Sequence, residues 1–193
     1  MPTLVAFETL TELYQNLAEK YKNSDKTAFA FKPDPKAEYQ TITWDKVKED
    51  VTAVASYLLD FGIGKGDRVA ILSENRYEWA VVDLAIQMVG GINVSLYTTL
   101  PPRQCEFILN DSEAKLFFVS TGIQLKKAIE IFGDCPHLKH VVAFDEAKVN
   151  SYMEHDFVSL YESACEEGKK LEEKHADTLK KRAAETEPED VAT

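Results

Sequence analysis

The sequence predicts an α/β fold: a doubly wound, mostly parallel sheet with helices on both faces, preceded by a helix and a β-hairpin. Two observations lead to this prediction. Helical and strand patterns alternate four times between residues 44 and 144, which is typical of successive βαβ units. The strand patterns are short apolar runs, as expected of strands that are buried on both faces of a parallel sheet.

A helix and a β-hairpin are expected before this alternation. Thr9 and Glu12 have the spacing of a capping box, in which the first side chain caps a helix and the second reaches back to the cap. Apolar residues follow at helical spacing up to Tyr21. Residues 27–31 and 39–43 have the composition of strands, and the segment between them contains two prolines, which favour a turn.

The centre of the alternation is residues 62–100, which predict a βαβ unit. Residues 68–72 form an apolar run between a glycine turn and a polar loop, as expected of a buried strand. Five apolar residues then recur at helical spacing and share one face: Trp79, Val82, Ala85, Ile86 and Val89. Gly90 and Gly91 end this helix, because glycine adopts the left-handed cap conformation without a steric penalty. Residues 92–94 then resume as a strand.

The same rules predict the elements on either side of the central unit. Thr43 is a plausible N-cap for the helix that precedes it. The two prolines at residues 101–102 open a short helix after it, because proline is tolerated at the first helical position. Strands are predicted at residues 116–119 and 140–144, with a helix at residues 123–132 between them.

The composition changes after residue 145, and this change predicts two parts. Residues 1–145 are expected to form an N-terminal α/β subdomain. Residues 146–193 are expected to form a charged segment that is largely helical or partly disordered. Within this segment, residues 151–159 show no regular pattern. Residues 161–185 are rich in Glu, Lys and Ala and have few apolar anchors, so no core is expected there.

Charge and cysteine content limit the classes of function. A formal net charge of −11 argues against a nucleic-acid partner, since general nucleic-acid binders use a basic face to release counterions. Cys105, Cys135 and Cys165 are widely spaced, which predicts free thiols in a reducing compartment. The sequence shows no secretory signal and no apolar run long enough to cross a bilayer. A cytoplasmic protein is therefore expected.

Two local patterns offer weak chemical signals. Gly62, Gly64 and Gly66 follow a helix and precede a strand, which is the reverse of the order in a phosphate-binding loop, so they are expected to cap and turn the chain. Cys135 is followed two and five residues later by histidines. A structural zinc site has four ligands at closed spacing, so we predict no metal site and no catalytic residue here.

Two loops at strand ends hold the candidate binding residues. Residues 73–76 follow one predicted strand, and open α/β sheets bind ligands at the carboxyl ends of their strands. The competing interpretation, which we favour, is that Ser73 or Asn75 caps the next helix. A second loop, residues 95–100, follows the next strand and either lines a cleft or is an ordinary loop. It contains the candidate substrate-binding residues Ser95, Tyr97, Thr98 and Thr99.

Five motifs, in order along the chain, resemble a known family. They are Thr41-Ile-Thr-Trp-Asp-Lys-Val, Gly64-Lys-Gly-Asp-Arg-Val-Ala-Ile-Leu-Ser-Glu-Asn-Arg-Tyr-Glu-Trp, Gly90-Gly-Ile-Asn-Val-Ser-Leu-Tyr-Thr-Thr-Leu, Glu106-Phe-Ile-Leu-Asn-Asp-Ser and Lys115-Leu-Phe-Phe-Val. The set resembles the N-terminal region of adenylate-forming (AMP-binding) enzymes over roughly residues 10–145. Within that family, the Tyr-Thr-Thr loop and the long charged insert after the last strand are most similar to the long-chain fatty acid–CoA ligases, or acyl-CoA synthetases.

The resemblance implies ATP-dependent activation of a carboxylate. An acyl-adenylate and pyrophosphate form first, and coenzyme A then displaces AMP. ATP, Mg²⁺ and coenzyme A would serve the full-length enzyme, and none is expected to bind this chain alone. The family's phosphate loop, adenine region, ribose-binding Asp, hinge and C-terminal Lys are absent from the sequence, so no catalytic, cofactor-binding or metal-binding residue carries over. Residues 188–193 resemble the lead-in to that phosphate loop.

Two hypotheses about function remain. The first is an N-terminal fragment of a long-chain fatty acid–CoA ligase, inactive alone, whose partners are the remaining part of the same enzyme and the fatty acid substrate. Such a fragment would expose apolar surface, which predicts self-association, for example as a homodimer. The alternative is a stand-alone, non-catalytic α/β binding or assembly module. No transmembrane segment is expected, and peripheral membrane association stays open.

Overall fold

The computed structural model describes residues 5–32, 36–145 and 155–193. The helices in these ranges are α1 (Leu10–Lys20), α2 (Trp44–Asp60), α3 (Tyr77–Met88), α4 (Pro102–Ser112), α5 (Gly122–Ile131) and α6 (Tyr161–Ala184). The strands are β1 (Thr27–Phe31), β2 (Gln40–Thr43), β3 (Arg68–Leu72), β4 (Ile92–Leu96), β5 (Leu116–Val119), β6 (His140–Ala143) and β7 (Val158–Leu160). A 3₁₀ turn, Phe132–Asp134, follows α5.

Five strands form one parallel sheet in the order β4-β3-β5-β6-β7. The central strand β3 pairs with β4 on one side and with β5 on the other, so Val69 lies opposite both Asn93 and Leu116. Strands β1 and β2 pair antiparallel as a separate two-stranded sheet. The predictions of a parallel sheet and of a preceding hairpin are both confirmed.

Helices cover both faces of the parallel sheet, because successive side chains of each strand point to opposite faces. Val69 and Ile71 of β3 pack into a core with α2, α3 and α6. Ala70 and Leu72 of the same strand pack into a second core with α4 and α5. The sheet is therefore doubly wound, as the alternation of elements predicted.

Local capping chemistry sets the helix boundaries. Thr9 Oγ1 accepts a hydrogen bond from Glu12 N (3.1 Å), and Thr43 Oγ1 accepts one from Lys46 N (3.4 Å). Both predicted N-caps are confirmed. The Glu12 carboxylate accepts a hydrogen bond from Glu8 N (2.7 Å), one residue earlier than the capping box predicted. Gly90 ends α3 with a left-handed φ of +77°, as expected for a glycine cap.

The C-terminal region contains more ordered packing than the sequence predicted. Strand β7 overlaps the end of residues 151–159, for which no regular pattern was found, and it adds a fifth strand beside β6. That expectation was wrong for residues 158–159, whereas residues 146–154 lie outside the described residues. The placement of a domain boundary at residue 145 stays a prediction.

Helix α6 packs along α2, so the expectation of few anchors underestimated its contacts. Ala164, Gly168 and Leu179 are the buried residues of α6. The absence of a side chain at Gly168 lets the backbones of α6 and α2 approach closely in this interface. An ion pair between Lys169 Nζ and Glu49 Oε1 (2.6 Å) lies at its edge. Within the described ranges, no helix is long and apolar enough to cross a membrane.

Candidate functional site at the carboxyl edge of the sheet

The strand order predicts a ligand-binding crevice at the carboxyl ends of β3 and β5. The connection from β3 leads to β4 on one side, whereas the connection from the neighbouring strand β5 leads to β6 on the other side. Connections that diverge in this way leave an opening at the carboxyl edge, which is where open α/β sheets bind ligands. The loop of residues 73–76 and the residues after β5 border this crevice.

Glu74 is the central polar group of the crevice. Its carboxylate accepts hydrogen bonds from the hydroxyl of Ser120, which is fully buried, and from Gln124 Nε2 (3.3 Å). Burial alone would raise the pKa of Glu74. The hydrogen bonds and the Arg76 charge outweigh this effect, so the pKa of Glu74 lies below its ordinary value. Glu74 is therefore a carboxylate at neutral pH.

The loop of residues 95–100 lies beside the N-terminal half of α5. Tyr97 O accepts a hydrogen bond from Leu100 N (3.0 Å), which closes a turn. Lys127 Nζ on α5 donates to Thr98 O (2.7 Å) and to Leu100 O (2.8 Å). The backbone of this loop is thus held by a helix that comes later in the sequence.

The four predicted substrate-binding residues lie together at the end of β4. Ser95, Tyr97 and Thr99 are exposed, with 80% of Tyr97 accessible, and Thr98 is half-buried. Exposed hydroxyls and an exposed aromatic ring above a crevice are available to a ligand or to another part of a protein. Their assignment to substrate binding stays a prediction.

Arg76 occupies the N-cap position of α3, so the prediction that Ser73 or Asn75 caps this helix was wrong. The backbone of Arg76 is extended, and no side chain makes a capping hydrogen bond at this end. Ser73 Oγ donates instead to Glu74 O (2.7 Å). The sequence suggested a cap because short polar residues precede the helix, but the loop extends one residue further before the helix begins.

The Arg76 guanidinium is held by two carboxylates. It donates to both oxygens of Glu78 (2.8 and 2.9 Å) and to Asp145 Oδ1 (2.7 Å), and it lies 5.3 Å from the centre of the Phe144 ring. The hydrogen bonds with Glu78 and then Asp145 raise the pKa of Arg76, despite the opposing effect of burial. Arg76 therefore joins the start of α3 to the end of β6 and has little charge left for an anionic ligand.

The contacts that α5 makes with both loops were not predicted from the sequence. Gln124 is 4% exposed and contacts both crevice loops, since its Nε2 also lies 3.5 Å from Thr98 O. Its Oε1 has no hydrogen-bond partner among the described residues. Gln124 and Lys127 are three residues apart and so share a helix face. That spacing was visible in the sequence, but nothing in it indicated that backbone carbonyls lie opposite this face.

The glycine turn lies at the other edge of the sheet. Gly62 and Gly66 have left-handed φ values of +91° and +81°, and Gly64 N donates to Asp67 Oδ2 (3.0 Å). Because this turn precedes β3, it lies away from the crevice. The interpretation of these glycines as a cap and turn is confirmed.

Cys135 and His140 have different neighbours in the fold. Burial, with the nearby carboxylates of Glu106 and Asp134, raises the pKa of the Cys135 thiol to about 11, so this thiol stays protonated at neutral pH. His140 Nε2 lies 2.8 Å from Ser159 Oγ on β7. Across residues 5–32, 36–145 and 155–193, no group of three or more His, Cys, Asp or Glu side chains is arranged to hold a metal ion.

The chain matches a known protein family. The family described as "AMP-binding enzyme" matches residues 16–193. The long-chain-fatty-acid–CoA ligase FadD15 of Mycobacterium bovis is 37% identical over 101 residues, which are 52% of this chain and 17% of the relative. The long-chain-fatty-acid–CoA ligase ACSBG1 of Rattus norvegicus is 31% identical over 163 residues, 82% of this chain and 22% of the relative. The chain thus spans about a fifth of the length of these relatives.

Solved structures share the fold. The adenylation domain of a carboxylate reductase from Mycobacterium chelonae superposes with a TM-score of 0.72 at 23% identity, covering 89% of this chain and 30% of that one. The anthranilate CoA ligase AuaEII, in complex with anthranoyl-AMP, superposes with a TM-score of 0.66 at 25% identity, covering 79% of this chain and 27% of that one. The doubly wound sheet described above is therefore an arrangement found in adenylation domains.

Proposed function

This chain belongs to the AMP-binding enzyme family, and we propose that it is the N-terminal part of a long-chain-fatty-acid–CoA ligase. One observation carries the proposal: the family match runs through most of the chain, and relatives aligned with it are long-chain-fatty-acid–CoA ligases. Membership in this family implies the use of ATP. The choice of a long-chain fatty acid as substrate rests on the names of the relatives.

The proposed reaction of the complete enzyme has two steps. A carboxylate oxygen of the fatty acid attacks the α-phosphorus of ATP, and pyrophosphate leaves with the electrons of the broken P–O bond. The thiolate sulfur of coenzyme A then attacks the acyl carbon, and AMP leaves from the adenylate. Negative charge accumulates at the phosphates in the first step, so the site that performs it has to supply cationic or hydrogen-bonding groups.

The described residues do not fit a site for that charge. They hold no metal-binding cluster. Of the two cations at the crevice loops, Arg76 is paired with two carboxylates and Lys127 donates to two backbone carbonyls. We therefore assign the binding of ATP, Mg²⁺ and coenzyme A to parts of the complete enzyme outside this chain, and we propose that residues 1–193 are inactive alone.

We propose that this chain contributes one wall of the substrate cleft. The crevice between β3 and β5 lies at the edge where open α/β sheets bind ligands. The exposed residues Ser95, Tyr97 and Thr99, with Thr98 between them, border that edge and are the candidates for substrate contact. From the same assignment we also propose a cytoplasmic location, self-association and peripheral membrane association.

The test is fatty-acid-dependent exchange of labelled pyrophosphate into ATP, which reports adenylation alone. It is run on residues 1–193 and on the complete polypeptide read from the gene. We expect exchange by the complete polypeptide and none by residues 1–193. Exchange by residues 1–193 would overturn the assignment of inactivity. A reading frame that stops soon after Thr193, together with a specific protein partner, would favour a stand-alone binding module instead.

A further inference from the structure

The loop of residues 97–100 is held in shape by a single cationic side chain. Lys127 Nζ donates to Thr98 O (2.7 Å) and Leu100 O (2.8 Å), and the turn between these carbonyls is closed by the hydrogen bond from Leu100 N to Tyr97 O. Charge-assisted hydrogen bonds are about twice as strong as neutral ones. One ammonium that satisfies two carbonyls therefore restrains the loop more strongly than the turn does alone.

The restrained backbone fixes the positions from which the side chains of the loop extend. The carbonyls of Thr98 and Leu100 both accept hydrogen bonds from α5, so the loop backbone has little freedom to rotate. The exposed side chains of Tyr97 and Thr99 therefore extend from fixed positions. A preorganised loop loses less conformational entropy when a ligand binds than a flexible loop does.

The restraint extends to the loop after β3. Gln124, three residues before Lys127, donates to Glu74 Oε1 (3.3 Å), and Glu74 accepts from buried Ser120. Helix α5 thus contacts the loops that follow both β3 and β4 and holds the two against each other across the crevice.

We propose that Lys127 is a positioning residue for the substrate cleft. It acts through the backbone of residues 97–100 and does not contact the reacting atoms. This role rests on the proposed ligase function, since it concerns the residues that would line that enzyme's cleft. The expected consequence of losing the ammonium is weaker binding of the fatty acid, with the chemical steps little affected.

Three variants separate this role from a general effect on stability. Lys127→Met keeps most of the side-chain volume and removes the donors. Lys127→Arg keeps a cation that can reach both carbonyls. Lys126→Met removes a charge from the exposed neighbouring position on the same helix and serves as the matched control.

The first measurement is amide hydrogen exchange on residues 1–193, which needs no enzyme activity. Lys127→Met is expected to increase exchange at the Leu100 amide at least about tenfold, while the amides of β3 and β5 stay protected. Lys127→Arg and Lys126→Met are expected to exchange like the unsubstituted chain. Unchanged exchange at Leu100 in a folded Lys127→Met variant would overturn the proposal.

The second measurement uses the complete polypeptide. Lys127→Met is expected to raise KM for the fatty acid about tenfold with kcat nearly unchanged, and Lys127→Arg is expected to recover most of that loss. Faster loop exchange with an unchanged KM would overturn the positioning role and leave the ligase assignment intact. Absence of ligase activity in the unsubstituted complete polypeptide would overturn the proposed function, and the positioning role with it.

Discussion

Gly168 on α6 lies directly against Ala53 on α2: a Cβ built on Gly168 would fall 1.9 Å from the carbonyl oxygen of Ala53. No side chain fits at that distance, so the two helices approach backbone to backbone at this point. This contact explains how a highly charged helix with few large apolar residues packs on the domain. It also identifies Gly168 as a position in α6 where a side chain would clash with α2.

We predict that Gly168→Ala destabilises the protein by about 1–3 kcal/mol, because the added methyl group forces the helices apart. Helix propensity alone predicts the opposite sign, since alanine is favoured over glycine in a helix by about 1 kcal/mol. Urea unfolding measures the difference. Gly133→Ala is the matched control, because a Cβ there meets no atom within 4 Å. Stabilisation by Gly168→Ala would contradict the close approach of α6 and α2.

A buried carboxylate joins α2 to α3. Asp50 is 9% exposed and accepts hydrogen bonds from Lys46 Nζ (2.6 Å) and from the Tyr77 hydroxyl (2.9 Å). Burial, with the nearby Asp50 charge, raises the pKa of Tyr77 above its ordinary value, so Tyr77 stays a donor at all ordinary pH values.

We predict that Tyr77→Phe lowers the free energy of unfolding by about 1 kcal/mol, the contribution of one hydrogen bond. Asp50→Ala is expected to lower it by about 2–3 kcal/mol, since it removes the hydrogen bonds from Lys46 and from the half-buried Tyr77 hydroxyl. Chemical denaturation of the single and double variants gives the coupling between the two residues. Tyr39→Phe is the control at an exposed tyrosine. Additive effects of the two substitutions would show that the pair does not interact.

The histidine at the start of β6 makes stability depend on pH. Burial lowers the pKa of His140 below its ordinary value of 6.5, and the Glu167 carboxylate opposes this shift only partly. The folded state therefore favours the neutral ring, and the unfolded chain takes up a proton more readily. The contribution of His140 to the free energy of unfolding is fully present above about pH 6.5. It is lost as the pH falls through the pKa of His140 in the folded state.

We predict that His140→Gln flattens this part of the pH profile, because glutamine can still hydrogen-bond to Ser159 and does not titrate. The measurement is the free energy of unfolding between about pH 7 and about pH 5. The control is His137→Gln, at an exposed histidine. A profile for His140→Gln as steep as that of the unsubstituted chain would assign the dependence to other groups.

Much of the fold was predictable because its signals are local. Apolar runs marked β3 and β5, Thr9 and Thr43 marked helix starts, and Gly90 marked a helix end. Strand β7 was missed because it has three residues and forms by pairing with β6, so its signal lies in the partner. The packing of α6 was underestimated because it depends on the absence of a side chain at Gly168. A hydrophobic pattern reports apolar side chains and so does not show such a contact.

The candidate site was predictable in its location and less so in its construction. The carboxyl-edge rule led to both loops, residues 73–76 and 95–100. Side chains of α5 contact both loops. Gln124 donates to the Glu74 carboxylate, and Lys127 donates to the backbone carbonyls of Thr98 and Leu100. Every residue has a backbone carbonyl. No residue type in the loop could therefore indicate that partner. Only the three-dimensional arrangement brings the helix face and the carbonyls together.

The most direct test of the ligase assignment is formation of the thioester by the complete polypeptide that contains residues 1–193. The polypeptide is incubated with ATP, Mg²⁺, coenzyme A and a long-chain fatty acid, and the products are separated by mass. The ligase assignment predicts acyl-CoA and AMP in equal amounts, with pyrophosphate released, and no product from residues 1–193 alone. Absence of acyl-CoA from the folded, complete polypeptide, or release of ADP in place of AMP, would contradict it.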